Sequence, residues 1–132
     1  MNKVIVCLLF SIVVSLTISH SDVVGYDVLT AEYRGDKIQI KINLEEEKRI
    51  QAAVDKGHQP WRLEPIDVAY VALTAAINEK IEYETCSLIS ETSKDAIVTC
   101  KSKKTFTVHL KRIVREKGIW TATVIELGKS NR

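Results

Sequence analysis

Two alternating runs, Ile81 to Ser90 and Ala96 to Ser102, flank the polar stretch Glu91-Thr92-Ser93-Lys94-Asp95 and carry one cysteine each. Period-two alternation is the pattern of half-buried strands, and a short polar connection makes the pair an antiparallel hairpin. If Ser90 faces Ala96, then Cys86 faces Cys100, Leu88 faces Val98, Ile89 faces Ile97 and Glu82 faces Lys104. A directly opposed, non-hydrogen-bonded pair has Cα atoms about 4.5 Å apart, within reach of a disulfide. A bridge there closes a loop of about 15 residues and contributes on the order of 3 kcal/mol. A metal site would need partners, and His58 and His109 show no ligand spacing with either cysteine; a thioredoxin-like site would need Cys-x-x-Cys. No metal or other cofactor is expected.

A disulfide requires an oxidising compartment, and the N-terminus supplies an address. Val4 to Ser19 contains no charge, follows Lys3 and runs into Ser19-His20-Ser21, which is the order of a secretory signal. Cleavage after Ser21 places small residues at both recognition positions; cleavage after Ser19, with Thr17 upstream, fits nearly as well. The mature chain is then a single domain, residues 22–132, that is secreted or otherwise extracytoplasmic. The competing reading is an uncleaved anchor, although Val4 to Ser19 spans only about 24 Å as a helix against a hydrocarbon core of about 30 Å. Cys7 lies inside the apolar run behind the bulky Val6, a poor context for lipidation.

Between these features the signals alternate. Tyr26 to Tyr33, which alternatively reads as partly helical, and Lys37 to Ile42 are strand candidates joined at Arg34-Gly35-Asp36. That tripeptide matches the one read by integrins, but three residues recur by chance. Asn43 stands three residues before Glu46, a helix start, and Glu45 to Glu47 place negative charge where the helix dipole favours it. This helix runs through Ile50, Ala53 and Val54 to Lys56-Gly57. A second begins at Pro65 and carries Ile66, Ala69, Leu73, Ala76 and Ile77 at three-to-four spacing. His58 to Glu64 reads as a bent, partly extended linker. Downstream, Phe106 to Arg115 and Ile119 to Leu127 form a second hairpin around Lys117-Gly118, with His109 facing Glu126 and Trp120 facing Arg115. Phe106, Val108 and Leu110 then share the core side with Ile125 and Leu127. The class is α+β: N-terminal strands and two helices packed on a curved four-stranded antiparallel meander.

The final strand begins Gly118-Ile119-Trp120 and continues to Ile125. With a helical segment before the meander, this resembles small exported cystatin-like or NTF2-like proteins of Gram-positive bacteria. Gly57-His58-Gln59-Pro60-Trp61-Arg62-Leu63-Glu64-Pro65, followed by a helix, is similar to segments of secreted Bacillus-type proteins. The resemblance covers residues 48 to 127. It implies a binding, regulatory or secretion-apparatus domain, and in some members an enzyme.

Each chemical candidate has a structural rival. His58, Trp61 and Arg62 form a pocket with a ring platform and a guanidinium anion clamp, or a Pro-Trp plug with Arg62 in solvent. His109 with Glu126 is an acid/base pair or an exposed cross-strand pair. Trp120 with Arg115 suits a cation–π contact at the surface. The whole chain carries a net charge of only +2, which excludes a dedicated nucleic-acid binder. Its partition is uneven: residues 22 to 92 hold 8 basic and 14 acidic side chains, residues 93 to 132 hold 10 and 3. Alternation puts Lys101, Lys103, His109, Lys111 and Arg115 on one sheet face, either a basic surface for an anionic partner or a solvated face neutralised by the acidic half. The expected function is a secreted, non-enzymatic binding or regulatory domain for a protein or anionic envelope component, with peripheral membrane or wall contact. The alternatives are a small hydrolase or lyase using a histidine in an NTF2-like pocket, and a structural subunit of a surface assembly.

Overall fold

In the computed structural model, residues 31–130 are described. The apolar N-terminal stretch, the cleavage sites expected after it and residues 26–30 of the first strand candidate lie outside the described residues. The first elements are β1 (Ala31–Arg34) and β2 (Lys37–Ile40), joined through Gly35, whose φ of 64° suits a residue without Cβ. The helix α1 (Leu44–Asp55) starts where expected: Asn43 Oδ1 accepts from the backbone N–H of Glu45 at 3.1 Å and of Glu46 at 3.3 Å. The helix α2 (Pro65–Ala76) opens on Pro65, which has no N–H to leave unpaired. The strands β3 (Ser87–Glu91), β4 (Asp95–Lys101), β5 (Lys104–Lys111) and β6 (Thr121–Ser130) follow.

All strand pairs are antiparallel, and the order across the sheet is β1-β2-β6-β5-β4-β3. The expected four-stranded meander is therefore only part of a six-stranded sheet. Its β6 edge is taken by β2, with Lys37 opposite Glu126 and Ile38 opposite Ile125. The reason is apolar: Ile38 and Ile40 are buried on the core side, so the hairpin extends the core beyond four strands. One sheet face carries Val98, Cys100, Phe106, Val108, Leu110 and Ile125, and α2 lays Val68, Ala69, Ala72 and Leu73 onto it. Each large side chain fully buried there contributes about 1.5–3 kcal/mol.

The hairpin registers depart from expectation at identifiable irregularities. Cys86 and Cys100 are bridged, and Leu88 faces Val98 as expected. A bulge at Ile89 then shifts the pairing, so Ile97 faces Ser90 and Ile89 is left 60% exposed at the sheet edge. Ile81 to Cys86 is not strand. Tyr83–Thr85 forms a 3-10 turn, held where the Tyr83 hydroxyl donates to Asp67 Oδ1 at 2.5 Å and the ring packs edge-on against Tyr70. Glu82 consequently pairs with Lys80, not Lys104.

In the second hairpin, residues 112–120 form a longer connection than a turn at Lys117-Gly118. The Arg112 N–H donates to the Lys94 carbonyl, which extends the β4–β5 pairing by one residue before the chain leaves the ladder. Phe106 thus faces Leu127 and His109 faces Val124, two residues from the expected register, so the core side is preserved. A further irregularity after His109 sets Leu110 opposite Ala122. Gly128 permits a close approach near the other end, where a Cβ would lie 2.5 Å from the Thr105 carbonyl oxygen. The linker is wound rather than partly extended: Pro60–Leu63 is a 3-10 turn, closed by the Arg62 N–H to the Gln59 carbonyl.

Candidate functional site

Because α2 covers one sheet face, alternation turns the other toward solvent. On that face β4 presents Ile97, Thr99 and Lys101, β5 presents Thr107, His109 and Lys111, and β6 presents Val124 and Glu126. Ile97, Thr99, Thr107, His109 and Val124 are half-buried, which leaves a low surface of methyl and hydroxyl groups.

Charges on this face are largely matched within it. Glu126 accepts from Lys37 at 2.9 Å, and His109 Nε2 comes within 3.4 Å of the same carboxylate without a well-aligned hydrogen bond. The Lys37 hydrogen bond, followed by the His109 contact, holds the Glu126 carboxyl below the usual range, and Glu126 in turn raises Lys37. The register shift thus makes Glu126 the diagonal neighbour of His109 instead of its opposite, and Lys37 becomes its stronger partner. Lys111 lies 3.7 Å from Asp95. Asp95 and Glu126 belong to the basic half, so the expected neutralisation by the acidic half is only part of the balance. Lys101 is exposed, and its backbone N–H donates to Thr85 Oγ1.

The other expected members of the basic face lie elsewhere. Lys103 sits in the β4–β5 turn, and Arg115 sits in the β5–β6 connection, where it pairs with Asp55 at 2.6 Å. Arg115 does not meet Trp120, which is fully buried. Its ring instead carries the Arg112 guanidinium at 4.1 Å from the centroid, because Arg112 is the residue that turns inward as β5 ends.

His58, Trp61 and Arg62 do not form a pocket. His58 is exposed, Trp61 packs on the core, and Arg62 is buried in an ion pair with Glu47. The Glu47 oxygen that pairs with Arg62 also accepts from Thr121 Oγ1 at 2.6 Å. Burial lowers the Arg62 pKa, and Glu47 offsets this in part. An intramolecular carboxylate thus occupies the guanidinium that was a candidate anion clamp, and the solvent-facing alternative is also excluded. The Arg62 carbonyl accepts from the Trp120 N–H at 2.8 Å, locking the linker to the start of β6.

A comparison of the chain with known protein families, characterised proteins and solved structures finds no match. Among the described residues, no helix is long and apolar enough to cross a membrane, and no three His, Cys, Asp or Glu side chains are grouped to hold a metal ion. Glu47, Gln51 and Arg112 are the organising polar residues that the sequence pattern does not single out. Gln51 leaves one signal: a polar side chain beside Ile50 and Val54, four residues before Asp55.

Proposed function

We propose that the protein is an exported, non-enzymatic binding domain that offers the uncovered face of its sheet to a protein or anionic component of the cell envelope. The observation that carries this reading is the one-sided packing: α2 buries one face, while Ile97, Thr99, Thr107 and Val124 remain on the other, among charges that are matched except for Lys101 at its end. Such a surface can be covered without stranding a buried charge. Export is supported by the Cys86–Cys100 bridge together with the apolar N-terminal stretch. A helix on one face of an antiparallel sheet is compatible with a cystatin-like or NTF2-like architecture.

The test is affinity capture from envelope fractions using the wild-type protein and the variants Ile97→Lys and Val124→Glu. Loss of the captured component, with the disulfide and circular dichroism unchanged, is the expected result. Retention by both variants overturns the reading. His58→Gln with His109→Gln should leave the associated phenotype intact; its loss would favour histidine-based hydrolysis or elimination.

A further inference from the structure

The end of the sheet that holds the β4–β5 turn gathers lysines from two distant stretches of chain. Lys101, Lys103 and Lys104 bracket the turn, and the pairing of Lys104 with Ser130 sets Lys129 of β6 beside them. All four are exposed, and none makes an ion pair among the described residues. We propose that this corner is a docking point for an anionic lipid surface.

The turn is held stiffly for that role. Ser102 N–H donates to the Lys104 carbonyl at 2.8 Å, and Ser102 Oγ donates to Glu79 Oε1 at 2.6 Å. The Lys103 N–H reaches the same Glu79 oxygen at 3.1 Å. The Glu79 carboxylate, which interacts with Lys103 and Lys104, pins the turn and offsets only one of the four charges. Lysine heads are compact, hydrated point charges without the planar fork that grips a single phosphate. Several of them on the exposed end of a hairpin suit diffuse attraction to a plane of headgroups. The strand registers also place this corner at the opposite end of the sheet from Ala31, where β1 begins.

This inference rests on the reading of an exported binding domain and names its anionic partner. The experiment is co-sedimentation of the full chain with phosphatidylglycerol-containing vesicles and with pure phosphatidylcholine vesicles. Binding to the anionic vesicles alone is expected, weakening about fivefold per lysine removed and at least about 25-fold in Lys103→Glu/Lys104→Glu. Lys94→Glu, at the far end of the sheet, should change binding less than about twofold under the same rule. Equal binding to both vesicle types, no binding to either, or indifference to the double variant overturns the proposal. Retention of inorganic polyphosphate without vesicle binding also overturns it and assigns the lysines to a polymer. If vesicle binding fails while envelope capture is still lost in Ile97→Lys, the open-face reading stands and only the lipid assignment falls.

Discussion

Gln51 joins three parts of the chain through one buried amide. Its Oε1 accepts the Ile119 N–H at 2.8 Å, and its Nε2 donates to Asp55, which also holds Arg115. Gln51→Leu keeps the volume but strands the buried Ile119 N–H, and should cost about 1–3 kcal/mol in urea unfolding. Gly118 supports the same contact: a Cβ there would overlap Gln51 Oε1 and lie 2.9 Å from the Arg115 carbonyl oxygen. Glu47→Ala leaves Arg62 buried without its partner and should cost more, about 3–5 kcal/mol by the same measurement. The Gln51–Ile119, Glu47–Arg62 and Glu47–Thr121 contacts are not legible from composition or period, because those partners lie 15 or more residues apart and only packing brings them near.

Elements were more legible where their determinants are local. The Asn43 cap, the acidic first turn of α1 and the Pro65 start of α2 act within a few residues of themselves, and both helices begin where those signals place them. Asn43→Ala should remove about 1 kcal/mol, read from the thermal midpoint. The Cys86–Cys100 bridge follows from alternation and a short turn; reducing it should cost on the order of 3 kcal/mol for a sequence separation of 14. Register was legible only up to the first irregularity. The bulge at Ile89 sits on an edge strand, and residues 112–120 leave the sheet once the Arg112–Lys94 bond has ended the β4–β5 pairing; no strand pattern encodes either. The 3-10 turn at Tyr83–Thr85 is likewise set by Asp67 on α2, overriding a segment that alternates like a strand.

Across the whole molecule, half-buried carboxylates couple stability to acid. The Ser102 hydrogen bond, with Lys103 and Lys104 nearby, lowers Glu79, and Lys37 lowers Glu126. Their folded-state values lie below the unfolded value of about 4.3, so their stabilisation is complete above it and lost as pH falls through the folded values. Urea midpoints should therefore drop below roughly pH 4.3, and Glu79→Gln or Glu126→Gln should flatten the drop. Lys37 and Lys80 are raised by Glu126 and Glu82, so their share is present below about pH 10.4 and lost above it. By itself the sequence determined the α+β class, both helices, the core side of the meander and the disulfide, because each depends on periodicity or neighbouring residues. Tertiary structure alone decided that β2 completes the sheet, that Arg62 and Trp120 are structural, and that the lysines of two separate stretches meet at one corner. Those outcomes depend on which apolar strand finds the open edge and on contacts between residues far apart in the chain, neither of which has a local signature.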